Sequence, residues 1–310
     1  MIRAARTLGV VPTFTLESPL VLDGGLSNAL EDRGHDLVAP LWTARMLRDA
    51  PAEIAAVHRA YFAAGARVAT TASYQATLPG LVGAGMAPRE AAGLIRLSVR
   101  LARDVVAELS ADGVERFVAA SVGPYGAYLA DGSEYRGAYG IDKAALRDFH
   151  APRLELLAAE RPDLIAVETI PDSDEVEALV GLLDEIGLPA WISLSAAGGR
   201  TRAGQPLDDA FATAASGRTV VAVGVNCLDP AETLAAVRQA AATGRPVVCY
   251  PNSGEGWQAA QAPGATGHWT GRSTYDVSAA ADWVAAGARL VGGCCRVGPE
   301  QIAALTATVG

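Results

Sequence analysis

The chain alternates between short, continuous apolar runs and longer segments in which apolar residues recur every three or four positions. The runs are PLVLDGG (19–25), RVATTASY (67–74), FVAASVGP (117–124), DLIAVETIP (163–171), PAWISLS (189–195), TVVAVGVNC (219–227), PVVCYPNS (246–253) and RLVGGCC (289–295). Continuous rather than alternating hydrophobicity is expected of strands buried on both faces. The segments between them read as helices. APAEIAAVHRAYFAAGA has Gly65 as its C-cap, and APREAAGLIRLSVRLARDVVAELS has Pro88 in its first turn and Gly113 past its end. Further helices are expected over 142–160, 173–187, 207–216, 229–244, 273–288 and 299–309. SNALEDRGHD reads as a polar loop after the first strand. GPYGAYLADGSEYRGAYG (123–140) reads as the longest irregular segment, an ordered lid facing a substrate.

Strand then helix, repeated about eight times, predicts a parallel sheet, and at this length a closed (β/α)₈ TIM-type barrel of the α/β class. A doubly wound open sheet is the alternative. The G-x-G-x-x-G turn of a dinucleotide binder is missing after the first strand, which weighs against it. No linker or composition break divides the chain, so residues 1–310 are expected to form a single domain.

Composition narrows the function. With 50% hydrophobic and 19% charged residues, the 310-residue chain is of ordinary globular make-up. Its net charge of −9 and the lack of any Lys/Arg cluster argue against a nucleic-acid partner. No apolar stretch approaches the roughly 18 residues needed to span a membrane. The N-terminal MIRAARTLGVVPTF lacks the apolar core and cleavage site of a signal peptide, so a cytoplasmic location is expected. Four cysteines in a chain of this size imply no disulfide framework, and four scattered histidines imply no histidine-built site.

In such a barrel the active site lies at the C-terminal strand ends. Those ends carry Asp23, Thr70, Ser121, Glu168, Ser193, Asn226, Cys227, Asn252, Cys294 and Cys295. Any one of the polar residues suits a turn or a helix cap. Cys249 lies inside its strand and reads as a small core hydrophobe. Cys227, Cys294 and Cys295 admit two readings, three more core cysteines or one metal site. Three sulfurs favour zinc, and a missing fourth protein ligand favours a catalytic ion with an open position. Three thiolates make a poor centre for activating water. They suit a substrate thiol instead, which a metal deprotonates while leaving it electron-rich. The expected chemistry is alkylation of a bound thiol. A non-enzymatic zinc-storing or redox-sensing protein built on the Cys294–Cys295 pair is the competing class.

The stretches LDGGLSNALEDRG, TASYQAT, SVGPYGAYLADGSEYRG, VETIP, GVNC, YPNSGE and ARLVGGCCR strongly resemble the homocysteine S-methyltransferase family, in its S-methylmethionine-using branch. The resemblance runs from about residue 20 to 305. It implies a zinc-dependent barrel that methylates the homocysteine thiolate to methionine by direct displacement on a sulfonium donor. S-adenosylmethionine, betaine or a separate methyl-cobalamin protein are the other donors. Carried over by position, Cys227, Cys294 and Cys295 match the Zn²⁺ ligands, and Asp23 and Glu168 match acidic residues near the homocysteine amino group. The N–H groups of Gly24 and Gly25, with Thr70, would suit its carboxylate. Asn252 matches a residue that can supply a resting fourth ligand. Asn226, next to Cys227, has two open readings, orienting the site or a plain structural role. Tyr125, Tyr128, Tyr135 and Tyr139 are candidates for cation–π contact with the sulfonium. Two segments depart from the family pattern, AAGGRTRAGQPL after the fifth strand and QAAQAPGATGHWTG (258–271), and both bear on the donor side.

Overall fold

The computed structural model describes residues 16–37, 42–258 and 268–309. The N-terminal stretch expected not to be a signal peptide, and most of QAAQAPGATGHWTG, lie outside these residues. Eight parallel strands form the barrel: β1 (Leu20–Val21), β2 (Val68–Thr70), β3 (Phe117–Val122), β4 (Leu164–Ile170), β5 (Ala190–Leu194), β6 (Val220–Asn226), β7 (Val247–Tyr250) and β8 (Ala288–Val291). Neighbours in space are neighbours in sequence, and β8 pairs with β1 through Leu20↔Leu290 and Val21↔Val291. The ring closes between β1 and β2. Leu22 bridges Val68, the Arg67 N–H donates to Val21 O at 2.7 Å, and the Asp23 N–H donates to Val68 O at 3.1 Å.

Side chains alternate across a strand, and here the alternation builds two storeys inside the barrel. The lower storey is apolar, with Val68, Ala119, Ala166, Trp191, Ala222, Val248 and Leu290 in one buried cluster. Further along the strands the same inward face carries Thr70, Ser121, Glu168 and Ser193 two residues on and Asn226 four residues beyond Ala222, with Tyr250 above Val248. The polar storey thus sits at the C-terminal end, on an apolar floor. The outward rows pack under the helices as a second, larger core.

Helix starts follow the local chemistry. The carboxylates of Asp142, Asp172 and Asp229 accept N–H groups of the helices they precede, at 2.8, 3.0 and 2.9 Å. Each such cap contributes about 1 kcal/mol. The structure also revises several sequence expectations. SNALEDRGHD is not wholly a loop, since Leu26–Glu31 is helical. Helices at Trp42–Asp49 and Leu78–Gly83 were not anticipated, although Thr77 caps the second by accepting the Gly80 N–H at 3.1 Å. The lid is ordered but not irregular: Tyr125–Leu129 is a helix and Ser133–Tyr135 a 3₁₀ turn. AAGGRTRAGQP contains a small hairpin, Ala196–Ala197 with Arg200–Thr201. β2 ends at Thr70 and β8 at Val291, so Tyr74 and both C-terminal cysteines stand on turns beyond their strands.

Candidate metal centre and substrate cavity

A cavity of about 240 Å³ opens over the polar storey. Its wall includes Asp23, Gly24, Gly25, Thr70, Glu168, Cys227, Cys294 and Cys295, so most of the sequence-predicted residues meet in one place. The three sulfurs lie within 4.8 Å of one another and form a cluster able to hold a metal ion. Cys227 Sγ is 3.8 Å from Cys295 Sγ and 2.6 Å from Cys294 Sγ. With metal–sulfur bonds of about 2.3 Å, sulfurs on a tetrahedron are about 3.8 Å apart, so the first spacing matches and the second is tighter. The closest pair is therefore Cys227 and Cys294, not the adjacent Cys294 and Cys295. Cys249 is fully buried in the outer core, as expected.

The backbone brings the sulfurs together. The Cys294 N–H donates to Pro251 O at 2.8 Å, the Cys227 N–H to Tyr250 O at 3.3 Å, and the Ser253 N–H to Cys295 O at 2.9 Å. Cys227 and Arg296 have φ of 52° and 65°, in a region non-glycine residues rarely enter. The turn is also stitched to the start of the chain. The Arg296 N–H donates to Asn28 Oδ1 at 2.6 Å, and the Gly25 N–H to Val297 O at 2.9 Å.

That last bond corrects one expectation. The Gly25 N–H is spent inside the protein, so the glycine pair serves close approach. A Cβ on Gly24 would stand 2.2 Å from Val297 O, and one on Gly25 2.7 Å from Cys294 O. Asn252 is also revised. It does not line the cavity, and its Oδ1 accepts the Cys295 N–H at 3.1 Å, which makes it a support for the cysteine turn. Asn226 likewise stands behind the wall. Its Nδ2 donates to Thr169 Oγ1 at 2.8 Å and reaches Cys294 Sγ at 3.9 Å. Of the four lid tyrosines, only Tyr135 lines the cavity, its hydroxyl 3.8 Å from Cys227 Sγ. Tyr125, Tyr128 and Tyr139 pack as an aromatic cluster, with Phe149 against the first two.

Electrostatics set the site's character. Asp23 accepts the Thr70 N–H and hydroxyl, both at 2.6 Å, yet burial pushes its carboxyl up to about 7. Burial also pushes Glu168 up to about 7, against hydroxyl bonds from Ser121 and, at 3.1 Å, from Tyr250. Hydrogen bonds from Cys227 and Cys294 hold the Cys295 thiol well below the usual range. Cys294 is pushed well above it by its bond with Cys227 and by Cys295. Cys227 is raised too: its bond with Cys294 pulls the other way, but Cys295 and burial prevail. Three thiols alone thus yield one anion readily and resist the second and third. A divalent cation is what would make all three thiolates compatible, so the donor set fits a soft metal ion.

Sequence reasoning missed Tyr74, Glu134, Thr169 and Tyr250, all in the wall. Tyr250 was readable from alternation, since it shares the inward face of Val248. Tyr74 and Glu134 stand on turns, where no periodicity points.

The comparisons with known proteins come to one family. Residues 20–309 match the model described as Homocysteine S-methyltransferase. Homocysteine S-methyltransferase YbgG of Bacillus subtilis is 42% identical, over 96% of this chain and 96% of its own. Homocysteine S-methyltransferase of Escherichia coli is 43% identical, over 93% of this chain and 94% of its own. The crystal structure of the homocysteine methyltransferase MmuM from Escherichia coli, in its metallated form, has a TM-score of 0.83 at 41% identity, covering 94% of this chain and 96% of that one.

Proposed function

This chain belongs to the homocysteine S-methyltransferase family, and from that membership we propose how its site works. The enzyme transfers a methyl group to the sulfur of homocysteine, giving methionine. The donor is S-methylmethionine, and the cofactor is zinc held by Cys227, Cys294 and Cys295. The observation that carries this reading is the three-sulfur cluster in the wall of a cavity that also presents two buried carboxylates.

Zinc, when bound, would lower the pKa of the substrate thiol while leaving its sulfur nucleophilic. The protein's own residues do the rest. Asp23 and Glu168 receive the homocysteine ammonium; each is already oriented by hydroxyl donors, so little freedom remains to be lost. Asn252 and Asn226 hold the turns that carry the cysteines. Thr70 fixes Asp23, and the Gly24–Gly25 turn admits the cysteine-bearing loop. The lid covers the cavity and limits water. The thiolate attacks the methyl carbon of the sulfonium, a new carbon–sulfur bond forms, and the old one breaks with its electron pair leaving on the donor sulfur. The leaving group is a neutral thioether, a second methionine, so no general acid is needed. Proximity and orientation supply most of the acceleration.

The substrates are small molecules, with no role for nucleic acid. No helix among the described residues is long and apolar enough to cross a membrane. A reducing cytoplasm suits three thiols that must stay unoxidised. The test is methionine formation by the zinc-loaded protein with homocysteine and each of S-methylmethionine, S-adenosylmethionine and betaine. Two methionines per homocysteine with S-methylmethionine are expected. No turnover with it, beside turnover with another donor, would overturn the donor assignment.

A further inference from the structure

Asp23 and Glu168 are each held by hydroxyl donors, but the cavity wall contains a third carboxylate with a different environment. Glu134 sits on the lid's 3₁₀ turn, next to Tyr135, whose hydroxyl reaches Cys227 Sγ. Its Oε2 is shut off from water and has no hydrogen-bond partner among the described residues. Arg136 lends it some positive charge but no hydrogen bond among the described residues, donating instead to Ser133 Oγ at 2.7 Å and pairing with Asp131 at 3.6 Å. Glu134 as a whole is half-buried, and a cation beside a partly desolvated carboxylate offsets the cost of its lost water.

The turn that presents Glu134 is held from outside the cavity. The Arg202 guanidinium lies 5.8 Å over the Tyr135 ring, and the Ala138 N–H donates to Asp172 Oδ2 at 2.9 Å. Gln205 Nε2 binds the other oxygen of Asp172 at 2.8 Å. Arg202 and Gln205 both come from AAGGRTRAGQP, the segment that departs from the family pattern. The lid turn is thus fixed with Glu134 in the wall of the same cavity that Asp23 and Glu168 line.

We propose that Glu134 is the donor-recognition residue of the site, an anionic partner for the positive charge of an S-methylsulfonium amino acid. This rests on the methyl-transfer reading above. It divides the work: the barrel carboxylates take the thiol substrate, and the lid carboxylate takes the cationic donor. It also explains why a cationic donor would seat where a neutral methyl donor gains nothing.

The test is Glu134→Gln in the zinc-loaded enzyme, with both substrates varied. The KM for S-methylmethionine should rise about ten- to a hundredfold, the usual range for losing a charge-assisted bond. The KM for homocysteine and the bound zinc should stay within about twofold of wild type. An unchanged donor KM, or a rise confined to homocysteine, would overturn the proposal. Glu134→Asp decides the case if glutamine disturbs the lid. It keeps the charge and must hold the donor KM nearer to wild type; equal donor KM in both variants would also overturn it. Should wild type transfer no methyl group from S-methylmethionine, the donor assignment fails on its own. Calorimetric titration of S-methylmethionine into wild type and Glu134→Gln then tests the residue separately: tighter binding by wild type supports it, and equal binding overturns it.

Discussion

Asn226 grips Thr169 at both ends: its Oδ1 accepts the Thr169 N–H at 2.7 Å and its Nδ2 donates to Thr169 Oγ1 at 2.8 Å. Thr169 is held at φ 63°, a conformation a β-branched residue rarely adopts. Glu168 precedes Thr169 in the chain, and Cys227 follows Asn226. One fully buried amide therefore couples the turn that aims a substrate carboxylate to the turn that aims a metal ligand. Ser193 Oγ donates to the same Oδ1 at 2.8 Å and meets the Tyr250 hydroxyl at 2.7 Å, which in turn holds Glu168.

Asn226→Ala should therefore weaken both sites. Each buried partner left unpaired costs about 1–3 kcal/mol, so the melting temperature should drop and metal affinity with it. Asn226→Asp keeps the acceptor for Thr169 and Ser193 but loses the donor, and should recover much of the stability without full metal affinity. Thermal melts with a chelator competition check both; unchanged metal affinity in Asn226→Ala would separate the amide from the metal centre.

Gly25→Ala should act on the cysteines although it removes no functional group. The added Cβ would press on Cys294 O, a backbone atom, and on Asn28 Oδ1, which holds the Arg296 N–H, so the turn must shift. Zinc content should fall and activity with it. Full zinc loading in this variant would show that the close approach is not needed.

Replacing Glu168 by Ala should raise the KM for homocysteine while zinc stays bound. Losing a charge-assisted contact predicts about a ten- to a hundredfold effect. Zinc analysis beside the kinetics checks it. If zinc were lost instead, Glu168 would be a metal ligand or its direct support.

Asp23 predicts a pH dependence. Its carboxyl titrates near 7 when folded, against about 3.9 for a free aspartate. A raised carboxyl pKa means the folded state favours the neutral acid. Its contribution to stability is then full below about pH 4 and is lost as pH rises toward 7. Without ligand, wild type should lose stability across that window, and Asp23→Asn should lose less. Melting temperatures from pH 4 to 8 check this, and parallel curves for the two proteins would contradict it.

The barrel was legible because strands buried on both faces leave continuous apolar runs, and each ends where chemistry begins. The cysteines were legible because three of the four fall at such ends. The storey beneath them was only half legible: Ser121, Glu168, Ser193 and Asn226 stood at strand ends, but Tyr250 hid inside a run. The roles of Gly24, Gly25 and Asn252 were not legible, because backbone approach and second-hand support depend on contacts distant in sequence. The Gly25–Val297 bond spans nearly the whole chain. Helices such as Leu78–Gly83 are too short for periodicity to mark, and only their caps announce them.

The most direct test of the central claim is zinc-edge X-ray absorption on the loaded enzyme, before and after homocysteine. The account predicts three sulfur neighbours at about 2.3 Å in the resting protein and four once homocysteine is present. Fewer than three sulfurs at rest, or no added sulfur on homocysteine, would contradict it.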